Sequence, residues 1–297
     1  MAQFNFKAIG TVWRIDVYDL IEPEQERAVS KAILERITAF DLVYSRFRSD
    51  STVAQIARAS GVYELPLDAD LLFTTYHDLY TKTDGYFTPL IGQMLVDAGY
   101  DPAYSLEQKK ELQRPPTWDE AIEFRNSKDS SNGKPALIVK KPVQLDFGAA
   151  GKGYIIDLVG KVLDGHGIRS YLINAGGDIL RTGDDVARIG LEDPMDTTKA
   201  IGIYTLKNGS ICGSSGNRRA WGTFTHIMNP KTLESATKIA AVWVAAPTAL
   251  IADALTTCLF FVPPETLFSL YHFEYCIMYK DRTFIQSDGF GAELFLN

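Results

Sequence analysis

The chain is poor in the residues that staple, coordinate or span. It has 3 cysteines and 4 histidines among 297 residues. Cys212, Cys258 and Cys276 are odd in number, far apart and without any Cys-x-x-Cys spacing. They read as buried free thiols in a reducing compartment rather than as a disulfide framework. No apolar run reaches the length of a membrane span. The segment Met1 to Lys7 lacks the basic flank and apolar core of a signal peptide. A cytoplasmic protein is the expectation. Positive charge is also short: 30 Lys and Arg stand against 37 Asp and Glu, a net charge of −7. That balance argues against a nucleic-acid surface or a patch for anionic membranes. An anionic ligand would have to be held by local amides, a metal or single lysines.

Hydrophobic residues make up 46% and charged residues 23%, the proportions of a soluble globular protein. The length allows one large domain or two small ones. We read a single domain over 1–297, with a polar, proline-marked insertion around 101–135, helical in part and otherwise loop. No internal repeat or low-complexity segment interrupts it.

The first elements follow from pattern. Phe4 to Tyr18 alternates as a strand with a break at Gly10-Thr11. Glu22 to Phe40 is a charged amphipathic helix with Pro23 near its start. Ser49, Asp50 and Ser51 suit the N-cap of a short helix through Ile56. A further helix spans Asp68 to Thr83 and closes on Asp84-Gly85. Beyond the middle of the chain, strands are expected at 187–191, 200–206, 240–245, 275–279 and 283–286. A closing strand is expected at Leu294 to Leu296.

The middle of the chain carries the most information. Val143 to Phe147 reads as a short extended run that breaks into Gly148-Ala149-Ala150-Gly151-Lys152-Gly153. An amphipathic helix follows, with Ile155, Leu158, Val159, Val162 and Leu163 on one face. Gly165-His166-Gly167 ends it, and Arg169 to Ile173 forms a strand leading to Asn174-Ala175-Gly176-Gly177-Asp178. Glycine amides and a lysine at a helix N-terminus make a natural phosphate seat. The run matches neither a Walker loop nor a dinucleotide fingerprint. A glycine-rich packing loop is the other reading, and the residues alone leave both open.

Asp253 and Thr257 are four apart on an otherwise apolar helix, 248–261, so their oxygens stack on one side. They could offer two hard ligands to Mg²⁺ from a cleft surface. From this helix alone, the favoured reading is that Asp253 opposes the helix dipole and Thr257 back-bonds to the preceding turn. His226 is the one histidine in a turn-rich polar context. A Ser215–His226 hydrolase dyad is conceivable, but the chain has no Gly-x-Ser-x-Gly elbow.

The ordered set of these motifs resembles the FAD:protein FMN transferases, the ApbE-like family. The set comprises Ile9-Gly10-Thr11, Tyr44 to Ser51, Gly85-Tyr86-Phe87-Thr88-Pro89, Leu145 to Tyr154, Asn174 to Asp178, Gly190 to Pro194, Ser215-Gly216, His226 to Pro230 and Asp253 to Thr257. Their order and spacing hold from Ile9 to about Val262. Three positions depart from the family pattern: Ile9 replaces a usual methionine, Thr88 an aspartate and Ala57 an asparagine.

The resemblance implies an α+β fold with a central mixed sheet and flanking helices, and FAD as substrate. It also implies a divalent ion, Mg²⁺ or Mn²⁺, with Ala149 (through its carbonyl), Asp253 and Thr257 as ligands. By position, Phe47, Tyr86, Phe87, Thr88, Lys152 and Met228 are the FAD contacts and His226 the catalytic histidine. The implied reaction moves FMN to a Thr or Ser hydroxyl of a target flavoprotein carrying Asp-x-x-Ser/Thr-Gly-Ala-Ser/Thr, and releases AMP. Two alternatives remain at this point: a Mg²⁺-dependent FAD pyrophosphatase and a non-catalytic flavin binder.

Overall fold

A computed structural model describes residues 2–130 and 132–295. Leu296, the end of the expected closing strand, lies outside the described residues; Glu293–Leu294 is a short strand. The contacts divide the chain into two compact units: 1–38 with 150–219 and 237–297, and 39–149 with 220–236.

The first unit is built on an eight-stranded sheet. Its strands, in order across the sheet, are Ala2–Ala8, Thr11–Val17, Tyr171–Ala175, Asp178–Thr182, Gly209–Ser215, Ile239–Ala246, Glu274–Tyr279 and Phe284–Gln286. Spatial order follows chain order because each strand lies beside the next sheet strand in sequence. The α+β class and central sheet are as the resemblance implies. Every pairing in that sheet is antiparallel rather than mixed, since neighbouring strands reverse direction at each step.

The single strand expected over Phe4 to Tyr18 is instead two antiparallel strands, and the turn falls at Ile9-Gly10, one residue before the expected break. Ile9 and Gly10 both have positive φ, 43° and 76°, which reverses the chain in two residues. Two helices cover one face of the sheet. Gly151–Gly165 and Ala249–Cys258 pack on each other and on the central strands. Side-chain alternation sorts the faces. Cys212 turns its Sγ to the Ala249 carbonyl at 3.7 Å. Its strand neighbour Ile211 joins Ile179, Trp243 and Phe290 in an apolar cluster with Leu191, Ile201 and Leu206 of the Ala187–Asp193 and Asp196–Leu206 hairpin. All three cysteines are buried and free.

The second unit contains the last turns of the Pro23–Tyr44 helix and the Ala69–Lys82 helix. Its small antiparallel sheet has the order Gly61–Glu64, Ala136–Val139, Ile122–Arg125. Ser51 is the N-cap that the sequence suggests: its Oγ accepts from Ala54 N at 3.0 Å. The polar segment 101–135 holds a short helix, Trp118–Ala121, with a capping box from Thr117 and Glu120. The strand Ile122–Arg125 that follows was not expected from so polar a stretch. Val143 to Phe147 is irregular instead of extended into a strand. Its amide at Asp146 pairs with the Pro89 carbonyl, 2.8 Å, outside any sheet.

Candidate active site

In the first unit, the helix Gly151–Gly165 begins where the glycine-rich run ends. Its approach to the Ala249–Cys258 helix requires glycine at 153. A Cβ there would collide with the Ala249 carbonyl oxygen and lie 2.8 Å from the Asp253 Cβ. With no side chain at 153, the Gly153 amide donates to Asp253 Oδ2 at 2.9 Å. Asp157, one turn along, accepts from Ala249 N and Leu250 N at 2.9 and 2.8 Å. One helix thereby caps the other's N-terminus.

Asp253 is 2% exposed. The expectation of a carboxylate on a cleft surface is corrected: it is buried at the helix crossing and holds a backbone amide. The alternative in which it merely opposes the helix dipole does not describe it either. Thr257 lies one turn further along the same helix, partly exposed.

Lys152 lies between two carboxylates. Its ammonium pairs with Asp178 and stands 3.5 Å from Asp253 Oδ1. Asp178 is 1% exposed, and its Oδ1 accepts from Gly213 N at 3.2 Å. Asp178 starts its strand straight after Gly176 and Gly177, whose φ of 67° and 99° make the tight turn. Burial opposes the charge on Lys152, but Asp178 and Asp253 outweigh it and hold its pKa above the ordinary lysine value. Burial is also the main reason the Asp253 pKa rises; Asp178 adds to the rise while Lys152 and the Gly153 amide oppose it. The Cys212 thiol beside this cluster is pushed well up by burial and stays neutral.

The donor set suits a hard divalent cation. Asp253 supplies a carboxylate and Thr257, one turn on along the same helix, a hydroxyl, with the Lys152 ammonium 3.5 Å from Asp253 Oδ1. Among the described residues, no group of three or more His, Cys, Asp or Glu side chains could hold a metal. An ion here would take most of its ligands from backbone, water or substrate phosphate, as Mg²⁺ does.

The second unit holds the remaining sequence-predicted residues. Ala149 lies in the turn that ends the 39–149 segment. Phe47, 39% exposed, stacks on Tyr104 with ring centroids 5.4 Å apart and meets Tyr100 edge-on. Arg46 lies over the Phe47 ring at 4.2 Å and pairs through Nε with Asp146. Tyr86 is partly exposed and carries Lys231 Nζ over its ring at 4.3 Å. Phe87 is 1% exposed, stacked on Tyr76, and its amide is taken by Thr83 Oγ1. Its ring therefore belongs to the core. Thr88 caps the turn Pro89–Ile91 by accepting from Leu90 N at 3.1 Å. Met228 is buried with Met94, Leu95 and Trp221. His226 sits in a small hairpin fixed by the Thr225 amide on Ser235 Oγ, 2.7 Å, and the Ala236 amide on the Ile227 carbonyl, 3.0 Å.

Ser215 is not set up as a hydrolase nucleophile. Its hydroxyl donates to Asn217 Oδ1 at 2.6 Å. The residue that sequence reasoning passed over is Asp178. The double glycine before it was the available signal, but nothing in the pattern tied it to a lysine 26 residues earlier.

Comparison with known proteins agrees with this arrangement of motifs. Residues 9–276 match the ApbE family. The FAD:protein FMN transferase of Klebsiella pneumoniae (strain 342) is 25% identical over 280 residues, covering 87% of this chain and 78% of that protein. The FAD:protein FMN transferase of Treponema pallidum (strain Nichols) is 26% identical over 276 residues, covering 85% and 76%. In fold, the ApbE protein of Thermotoga maritima superposes with a TM-score of 0.83 at 24% identity, over 97% of both chains. The flavin transferase ApbE of Vibrio cholerae gives 0.77 at 17% identity, also over 97% of both. With a match that runs through both units and takes in the Lys152 and Asp253 helices, the chain belongs to the ApbE family.

Proposed function

We propose that this chain is an FAD:protein FMN transferase, moving FMN from FAD to a Thr or Ser hydroxyl of a target flavoprotein with release of AMP. Family membership supports the activity. The observation that carries the chemistry is the partly exposed Lys152 ammonium held by two buried carboxylates at a helix N-terminus in the first unit.

Lys152 and the amides of the glycine-rich run hold the pyrophosphate. Asp253 and Thr257 are the residues of the first unit that would hold Mg²⁺ or Mn²⁺. Such an ion supplies charge neutralisation to the phosphates. In the second unit, the rings of Phe47 and Tyr86 offer faces to the flavin nucleotide, with Thr88 and Met228 lending backbone and shape. His226 accepts the proton of the attacking hydroxyl. The hydroxyl oxygen forms a bond to the FMN phosphorus, and the bond from that phosphorus to the bridging oxygen of AMP breaks. AMP leaves with the electron pair.

The target is read as a separate flavoprotein with an Asp-x-x-Ser/Thr-Gly-Ala-Ser/Thr site. A cytoplasmic setting is part of the proposal, supported by the three buried free thiols. No helix among the described residues is long and apolar enough to cross a membrane.

The test combines purified protein, FAD, Mg²⁺ and an acceptor bearing that site. Flavin fluorescence that stays on the acceptor in a denaturing gel is the expected result. Free FMN and AMP without labelled acceptor would instead identify a pyrophosphatase, and unchanged FAD a binder.

A further inference from the structure

The cluster of Lys152, Asp178 and Asp253 carries two carboxylates and one ammonium, all within the first unit. Its charges are not equivalent. Asp253 spends Oδ2 on the Gly153 amide and turns Oδ1 toward the lysine, 3.5 Å away. Asp178 makes the closer contact to the ammonium, and its other oxygen is tied to Gly213 N. It is held from two sides. The Gly176-Gly177 turn fixes where its strand begins, and a Cβ at Gly176 would run into the Thr11 hydroxyl. Asp178 therefore cannot follow the lysine; the lysine must come to it.

This matters because Asp253 Oδ1 is the oxygen that would receive a divalent cation. An ammonium drawn fully onto that oxygen would occupy the same place and repel the ion. We infer that Asp178 is a positioning residue, which draws the Lys152 ammonium off Asp253 Oδ1 and so keeps that oxygen available to a divalent cation while the lysine stays in reach of phosphate. The inference rests on the metal reading given above and adds to it a residue with no role in that reading. In this view Asp178 need not touch the ion. It acts through Lys152.

The test is titration of the purified protein with MgCl₂, and with MnCl₂ followed by electron paramagnetic resonance, without flavin. Urea unfolding of each variant serves as a control. In Asp178→Asn the lysine loses its alternative partner and settles on Asp253, so affinity for the ion falls by about tenfold or more. Lys152→Met removes the competing ammonium without altering Asp178, and affinity rises by about tenfold. The double variant Lys152→Met/Asp178→Asn has the net charge of the parent, and it recovers the affinity lost in Asp178→Asn to within about threefold of the parent.

That recovery is what a residue acting only on folding would not produce. Three results would overturn the inference: an unchanged affinity in Asp178→Asn, a double variant as weak as Asp178→Asn, or a Lys152→Met variant that binds no better than the parent. Failure of the parent to bind either ion would overturn the metal reading itself, and Asp178's role with it.

Discussion

The two units solve different problems with different chemistry. Around Lys152 the first unit buries charge, and it manages this by giving each charged group a named partner: Asp178 and Asp253 for the lysine, Gly153 and Gly213 amides for the carboxylates. Around Phe47 the second unit gathers rings. Tyr100, Tyr104 and Phe47 meet one another, and Arg46 lies on ring faces at 4.2 and 4.7 Å while the Asp146 carboxylate holds its Nε. Buried ion clusters are intolerant of losing one member, because the remaining charges lose their compensation. Aromatic clusters lose contact area and little else. The units should therefore respond to mutation on different scales.

The largest effect is expected at Asp253. Asp253→Ala removes a buried carboxylate, frees the Gly153 amide and leaves a void at the helix crossing. Transfer activity should vanish, and denaturant unfolding should show a loss of about 3 kcal/mol or more. Normal stability together with normal activity would equate the two units and end the contrast.

The pH dependence of stability comes next. Burial raises the Asp157 pKa to about 6, against two capping amides that lower it. Its folded pKa thus lies above the unfolded value, so the folded state keeps the proton longer. The contribution of this group to stability is fully present below the ordinary carboxylate range and is lost as pH rises through about 6. The fall from this group is up to about 3 kcal/mol. Urea midpoints of the parent and Asp157→Asn across this range measure it. A slope that is the same in both would remove Asp157 as its source.

Lys152→Ala should weaken FAD binding by about 1–3 kcal/mol, as expected for a lost charge-assisted contact. Calorimetric titration with FAD and, separately, with ADP reads this, and both ligands should lose equally. The smallest change belongs to the aromatic unit. Phe47→Leu should cost about 1 kcal/mol in FAD affinity, with no loss toward ADP. Equal losses toward ADP would mean that Phe47 does not distinguish the flavin end of the ligand.

Much of this was written in local pattern. The Ile9-Gly10 turn, the Ser51 cap and the helices 151–165 and 249–258 depend on neighbours within a few residues, and periodicity and turn chemistry reveal such features. The motif order that resembles a flavin transferase is equally a property of the chain read along its length. Where local pattern misled, polarity was the reason. Ile122–Arg125 lies in a hydrophilic stretch, yet it forms a strand because Ala136–Val139 offers it an apolar edge to pair with. Phe87 and Met228 are FAD contacts only by the resemblance, not by local pattern, and the structure packs both side chains within their own unit.

The sequence by itself determined most of the helices, the Ser51 cap and the residue types available for the chemistry, since each rests on spacing within one segment. Only the tertiary structure decided which charges meet. Asp178 is 26 residues from Lys152, and Asp253 is 100 residues from the Gly153 amide it accepts. No periodicity links residues across such separations. They come together because a glycine lets two helices touch and a double-glycine turn sets where a strand begins. Burial then makes each charge depend on the others.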